Sequence, residues 1–392
     1  MKTKIVFLLR YWATHGGGET VTIALANEMV KRGHDVSVLY LWDNNRKNMP
    51  FIDERIKAVR IVGKNGQSLT VENPLLSTFL EKYIIDNGIS FVINQWWLAE
   101  IAFRGCICTN AILIKCHHIS VQGEWQIKVR DFESLVKFLM GPIYKCISKK
   151  LQVKAIEKFY KMSDYVSFLA PSYVEEFKAL TNMKIDPARI LSIFNPLVYD
   201  KSMRIEDYPQ KENVALFVGR MMNAQKRIKL LLDIWAEIEH SGQCKGWQLK
   251  LIGAGDDLEY LKIHAQRLGL KSISFEGYQQ PDVYYKEAKI FMMTSSTEGL
   301  PMTLIEAKQN LLCPIVMDTF SSLHDIITND KDGLIVPDNA EQFVKAFIDL
   351  ANNPTWLKEL GCNIENANKF SVVKVVDEWE KLFKRSNKYI HQ

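Results

Sequence analysis

Short apolar runs alternate with amphipathic helical patterns along most of this chain, and that alternation restricts its fold more than any other property. In the first half Lys4–Leu9, Val36–Leu41, Phe91–Asn94 and Ala111–Cys116 are strand-like, while Glu19–Arg32 and Leu76–Asp86 carry a helical period. In the second half Val214–Val218, Gln248–Ile252, Ile273–Phe275, Ile290–Met293 and Pro314–Met317 alternate with helical stretches in the same way, and Glu341–Asn352 and Val373–Phe383 close the chain as helices. Strands that alternate with helices build parallel sheets covered on both faces. A chain of 392 residues, 47% of them hydrophobic, has material for two such cores. The expected fold class is α/β, with two doubly wound Rossmann-like domains facing across a cleft. Ligands in such sheets bind beyond the carboxyl ends of the strands. The turn Phe194–Asn195–Pro196 marks the expected boundary, because a residue before proline is pushed out of helix.

Composition narrows the function classes. A net charge of +5 is mild and predicts no nucleic-acid partner. Seven cysteines, odd in number and irregularly spaced, fit a reducing cytoplasm better than a disulfide framework. The opening MKTKIVFLLR imitates a signal peptide, but its apolar run Ile5–Leu9 ends at Arg10, which suits a first buried strand. No stretch approaches the ~20 apolar residues of a spanning helix, so the chain is expected in solution or on a surface. Residues 126–161 are basic: nine cations stand against three carboxylates, a local charge of +6. Leu135, Phe138, Leu139, Ile143, Tyr144 and Ile147 are interleaved with those cations. Such an element attracts an anionic membrane surface at ~1 kcal/mol per cation, or simply packs its apolar face on the first domain. Both readings stay open.

The chemistry concentrates in STEGLPMTLIEA. Ile290–Met293 is a strand end, Pro301 suits a helix's first position, and Thr303–Asn310 continues as helix. The backbone N–H groups of Leu300, Met302 and Thr303 then point from a helix N-terminus, where a phosphate is favoured. Glu298 and Gly299 lie in the loop beside that cradle. Glu306 lies roughly 7–8 Å further along the axis, which suits a ribose attached to the phosphate. A carboxylate for a sugar, a cradle for phosphate and a carboxylate for ribose are what a nucleotide-sugar donor needs.

Other motifs surround this one. Gly219–Arg220 with Lys226 and Arg227 follows the first strand of the second half and can neutralise a diphosphate. Gly16–Gly17–Gly18 follows the first strand of the chain and opens its first helix, where backbone can approach a phosphate. The spacing is not that of the dinucleotide fingerprint, and a plain turn is the competing reading. His117 and His118 follow a strand and can hydrogen-bond a sugar or a phosphate, with a satisfied structural histidine the competing reading. Their neighbours Cys106, Cys108 and Cys116 suggest zinc, but the second half of a zinc-ligand spacing is missing and no metal is expected. Asp330–Lys331–Asp332 matches a metal–nucleotide pattern yet precedes Gly333, and is expected to be a solvated turn.

These residues resemble the retaining nucleotide-sugar glycosyltransferases of family four, which have the GT-B fold. The resemblance rests on Asn195–Pro196, Gly219–Arg220 with Lys226, LIGAGDDLEYLK, FEGY, the E-x₇-E pair of Glu298 and Glu306, and DGLIVP, in that order. It implies an N-terminal acceptor domain over 1–195, a C-terminal donor domain over 196–372, and a helix over 373–392 that crosses back toward the first domain. It implies that Arg220 and Lys226 hold the donor diphosphate, Glu298 acts near the donor sugar, and Glu306 binds ribose. The backbone near Tyr278 would contact the base, Gly17 and Gly18 the phosphate or acceptor, and His117 the sugar, with His118 its rival. The implied reaction moves a sugar from a nucleoside diphosphate sugar, by family habit UDP, to a saccharide or polyprenyl-linked acceptor in bacterial cell-surface polysaccharide synthesis. Anomeric retention and independence of metal come with it. A phosphorylase or epimerase of the same fold, and a binding subunit without turnover, are the alternatives. The chain departs from the family at Gln309–Asn310–Leu311–Leu312, where a glycine is usual. Leucine is poor at positive φ, so a different local helix end is expected.

Overall fold

The computed structural model describes residues 2–12, 17–43, 51–63, 66–121, 141–198 and 203–390. Gly16 and residues 126–140 of the basic segment lie outside the described residues. The chain forms two compact units: Met1–Val121, Lys149–Tyr199 and Lys369–Gln392 make one, and Gln122–Ser148 with Asp200–Asn368 the other.

The first unit holds β1 (Lys4–Leu8), β2 (Tyr11–Trp12), β3 (Asp35–Tyr40), β4 (Trp42–Asp43), β5 (Lys57–Arg60), β6 (Phe91–Asn94), β7 (Ile112–His117), β8 (Tyr165–Phe168) and β9 (Ile190–Ser192). Seven of them form one sheet in the order β5-β3-β1-β6-β7-β8-β9, and β2 pairs with β4 separately. Every pairing in the large sheet is parallel. Successive side chains of a strand point to opposite faces. Ile5 and Phe7 accordingly join one apolar cluster while Val6 and Leu8 join another, which is why β1 is apolar at each position from Ile5 to Leu8.

The closing helix Val372–Ile390 belongs to this unit, and Val375, Val376, Trp379, Leu382 and Phe383 pack in the same cluster as Ile5. Arg32 clasps it: its guanidinium reaches Asp377 at 2.7 Å, Glu28 at 2.8 Å and the carbonyl of Val373 at 2.8 Å. Near the expected boundary, the Leu197 N–H donates to Phe370 O at 2.8 Å and the Phe194 and Phe370 rings lie 4.9 Å apart. Those contacts tie Asn195–Pro196 to the first unit, which runs on to Tyr199.

The second unit holds β10 (Glu212–Val218), β11 (Gln248–Ile252), β12 (Ile273–Gly277), β13 (Ala288–Met293), β14 (Cys313–Met317) and β15 (Leu334–Val336). They form a parallel sheet in the order β12-β11-β10-β13-β14-β15. Its helices begin on side-chain caps where the sequence supplies asparagine. Asn339 Oδ1 accepts from the Gln342 N–H at 3.0 Å, and Asn353 Oδ1 from the Trp356 N–H at 3.1 Å. In both sheets the strand order reverses beside the first strand, between β1 and β6 and between β10 and β13. Such switch points open crevices at the carboxyl ends of the strands.

Candidate functional site

In the second unit the switch point gathers the loops that carry Arg220, Lys226 and Glu298. After β10 come Gly219, Arg220, the short helix Asn223–Lys226, and Arg227 in a left-handed conformation at φ 52°. After β13 comes Thr294–Pro301. The two segments are laced together. Thr294 Oγ1 donates to Lys226 O at 3.0 Å, the Ser296 N–H to Gln225 O at 2.8 Å, and Gln225 Nε2 to Thr297 O at 3.1 Å. This lacing brings Lys226 Nζ within 2.5 Å of Glu298 Oε1, with only 12% and 9% of the two side chains exposed. Arg220 lies alongside, exposed, its guanidinium 3.4 Å from Gln225 Oε1. A buried hydroxyl, Ser295 Oγ, has no hydrogen-bond partner here.

The LIGAGD turn after β11 forms the floor beside these segments. Gly253 has φ 143°, and a Cβ on it would lie 1.9 Å from Gly219 O, so only glycine lets the two loops touch backbone to backbone. The Gly253 N–H continues to Gly277 O at 2.7 Å, which brings the exposed Tyr278 to the same edge.

The helix Met302–Gln309 starts one residue later than expected: Pro301 is its cap, at φ −74° and ψ 92°, rather than its first residue. Pro301 O accepts the N–H groups of Leu304 and Ile305, so those of Met302 and Thr303 precede the helix's own ladder. Gly299 is fixed by Ser322 Oγ, which donates to its carbonyl at 3.0 Å, and Leu300 is buried. On the fifth residue of this helix, Glu306 Oε2 accepts from the Tyr285 hydroxyl at 2.8 Å. Burial raises the Glu306 carboxyl above its ordinary value, while the Tyr285 hydrogen bond opposes that shift.

Two expectations in this unit are corrected. Leu311 does adopt positive φ, at 61°, and the helix end follows the usual pattern, with Leu312 N–H donating to Ala307 O at 3.0 Å. The conformation is held because the side chain is fully buried with Met203 and Tyr208. The turn Asp330–Lys331–Asp332 is solvated only at its first two residues. Asp332 is 2% exposed, pairs with the buried Lys308 ammonium, and accepts the Thr328 N–H at 2.7 Å. Its carboxylate is absorbed by the fold.

The first unit has its own cluster at the carboxyl ends of β1, β6 and β7. Gly17 and Gly18 are the first residues of the helix Gly17–Lys31. A Cβ on Gly18 would sit 2.8 Å from the Trp96 ring, so glycine there makes room for an indole. Trp96 in turn stacks on His118, with centroids 4.7 Å apart, and His118 hydrogen-bonds the Gln95 side chain. The structure thus brings Gly18 to His118. His117 is instead buried against Phe168 and Phe159, 3.4 Å from Gln152 Nε2. Beneath them Lys115, 7% exposed, donates to Gln95 O at 3.2 Å and lies 5.3 Å from the Phe159 ring centre. Burial pushes its ammonium down to about 8. Burial, with Lys115 adding, holds both His117 and His118 down to about 3, so both imidazoles are neutral.

Among the described residues no group of three or more His, Cys, Asp or Glu could hold a metal ion, and no helix is long and apolar enough to cross a membrane. Sequence reasoning missed Tyr285, Gln225, Lys115 and the Gln95–Trp96 pair. Only the last left a signal, as NQWW at the carboxyl end of β6.

Residues 198–370 match the family described as Glycosyl transferases group 1. The chain is 26% identical over 372 residues to the Campylobacter jejuni GalNAc-alpha-(1->4)-GalNAc-alpha-(1->3)-diNAcBac-PP-undecaprenol alpha-1,4-N-acetyl-D-galactosaminyltransferase, covering 94% of each chain. Among solved structures it is similar to the apo lipopolysaccharide outer core galactosyltransferase WaaB, with TM-score 0.69, 19% identity and coverage of 98% of this chain and 100% of that one. It is also similar to HepE of Anabaena in complex with UDP, with TM-score 0.69, 15% identity and coverage of 98% and 100%. The match over the second unit, the near-full-length relative and the shared architecture indicate a glycosyltransferase of the GT-B fold.

Proposed function

We propose that this protein transfers a sugar from a nucleoside diphosphate sugar, with UDP the expected nucleotide, to a saccharide or lipid-linked saccharide, with retention at the anomeric carbon. The process served is bacterial cell-surface polysaccharide synthesis. The observation that carries this reading is the Lys226–Glu298 pair at the β10/β13 switch point, beside the start of the helix Met302–Gln309. In the reaction the anomeric C–O bond to the diphosphate breaks and a C–O bond to an acceptor hydroxyl forms. Negative charge then collects on the departing diphosphate. Arg220, Lys226 and the N–H groups of Leu300, Met302 and Thr303 stabilise it, and because these groups are held in place by the fold they need no reorganisation. Those cations are the ground for assigning the reaction no metal cofactor. Glu298 and Gly299 attend the donor sugar, Glu306 the ribose and the backbone at Tyr278 the base.

The second unit is assigned to the donor and the first to the acceptor. There Gly17 and Gly18 approach phosphate or acceptor, and His118, neutral and stacked on Trp96 beside Gly18, takes the place of the buried His117 in offering a hydrogen bond to sugar without adding charge. The Campylobacter relative, whose acceptor is named as undecaprenol-linked, and the HepE structure, which holds UDP, support these substrate classes. A lipid-linked acceptor places the protein at the cytoplasmic membrane surface. The helix Gly141–Lys161 fits that surface, with Ile147 and Leu151 exposed beside Lys150 and Lys154.

The test is a panel of UDP-, GDP- and ADP-sugars. The cognate donor raises the melting temperature, because selective binding stabilises the native state. NMR of the product formed with polyprenyl diphosphate saccharides should show the donor's anomeric configuration. Donor isomerised without acceptor would replace this reading with an epimerase, and no turnover with any donor would leave a binding subunit.

A further inference from the structure

Two adjacent tyrosines on the short helix Asp282–Glu287 have opposite fates. Tyr284 lies toward the surface with its hydroxyl on Glu276, whereas Tyr285 is 1% exposed. The Tyr285 hydroxyl lies 2.8 Å from Glu306 Oε2 and 3.3 Å from Thr303 O. A phenol has one proton to give, and the shorter, charge-assisted contact takes it. The other end of Tyr285 is also held. Its carbonyl accepts from Lys211 Nζ at 2.8 Å, and the same ammonium reaches Ala288 O at 2.7 Å and Lys286 O at 3.3 Å. A helix this short has little stability of its own. Lys211, 5% exposed, gathers its final carbonyls and so fixes where the tyrosine ring points. At Glu306 only Oε2 is engaged; among the described residues Oε1 has no protein partner.

We propose that Tyr285 is a positioning residue for donor binding: it holds one oxygen of Glu306 so that the other faces the ribose hydroxyls of a nucleoside diphosphate. This rests on the donor reading above and adds to it the residue that sets the carboxylate's geometry. A free glutamate side chain must be ordered when ligand arrives, and the phenol does that ordering beforehand. The phenol also opposes the effect of burial and of nearby Asp282, both of which favour the protonated carboxyl, a form that accepts ribose hydroxyls poorly.

The test measures binding of UDP and of 2′,3′-dideoxy-UDP to the full chain by calorimetry, with the GDP and ADP pairs in parallel. The wild type should favour the nucleotide that has both ribose hydroxyls. Tyr285→Phe should lose roughly tenfold or more for that nucleotide and little for its dideoxy form, so the preference collapses while kcat at saturating donor stays within about twofold. Equal weakening of both nucleotides would reduce Tyr285 to a structural role, and an unchanged preference would remove it from donor binding. Should Tyr285→Phe fail to fold, Glu306→Asp, too short to reach the phenol, must collapse the same preference; a preference that survives it overturns the proposal. A wild type that binds UDP and dideoxy-UDP equally overturns both the ribose role of Glu306 and its positioning. A wild type that binds no nucleoside diphosphate at all fails the donor reading itself.

Discussion

The two switch points have the same topology and different electrostatics. At the β10/β13 crevice a lysine and a glutamate face each other, and hydroxyl and amide groups fasten the loops that carry them. At the carboxyl ends of β6 and β7, among the described residues, two imidazoles are kept uncharged beside two cations, the buried Lys115 and the exposed Arg10, whose guanidinium donates to Trp96 O at 3.1 Å. The first arrangement suits a ligand that arrives with charge, since an anionic diphosphate can share Lys226 with Glu298. The second adds uncharged imidazoles and an indole face, which suit the hydroxyls and apolar faces of a saccharide.

The sharpest way to break this contrast is Lys226→Ala. It should lower kcat by about 10²–10³, equivalent to ~3–4 kcal/mol of barrier, in steady-state assays with the cognate donor. Turnover near wild type would show that the pair is structural. A melting curve of Lys226→Ala/Glu298→Gln separates lost chemistry from the cost of an unpaired buried carboxylate.

The imidazoles give the next effect. Their folded values near 3 lie below the unfolded value of 6.5, so the unfolded chain binds more protons between those limits. Stability should therefore be level above about pH 6.5 and fall as pH drops toward 3, by up to roughly 1.4 kcal/mol per pH unit for each histidine. Urea titrations at pH 7, 6 and 5 measure this, and His117→Gln should flatten the slope. A wild-type slope that is already flat would mean that the histidines are solvated and that the two switch points differ less in charge.

Glu306→Ala should act mainly on binding, raising KM for the donor about tenfold or more while kcat changes little. The opposite pattern, a steady KM and a collapsed kcat, would move Glu306 from ribose to chemistry. The smallest effect belongs to the outer surface of the basic helix. Lys150→Glu/Lys154→Glu should weaken co-sedimentation with phosphatidylglycerol vesicles, each lost cation contributing ~1 kcal/mol. Binding indifferent to lipid charge would confine the positive potential to the interior.

The sequence disclosed the second unit more fully than the first. Its strands Gln248–Ile252 and Ile290–Met293 are bounded by glycine or polar turns, and Glu298, Lys226 and Arg220 lie within a few residues of strand ends, where parallel topology brings them together. Hidden from it were residues whose role depends on tertiary contact. Tyr285 has no local signature, because its partner Glu306 comes from another element. Asp332 reads as a turn residue, because nothing nearby announces that Lys308 reaches it from the helix Met302–Gln309. In the first unit the helix Ala99–Cys106 and the strand Tyr165–Phe168 escaped notice; both are short and their apolar residues sit among polar neighbours. Leu311 shows tertiary packing overriding a local preference, since left-handed backbone costs a side-chain-bearing residue roughly 1–2 kcal/mol.

That leucine has a neighbour which cannot vary freely. A Cβ on Gly361 would come within 2.7 Å of Leu311 O, so the glycine missing from one helix end is demanded at another, far along the chain. The two positions are coupled through that contact. Alanine at 361 collides with the leucine's backbone carbonyl, so the backbone that Leu311 holds in its left-handed turn limits what position 361 can carry. Mutational tolerance at either position should be scored in the context of the other.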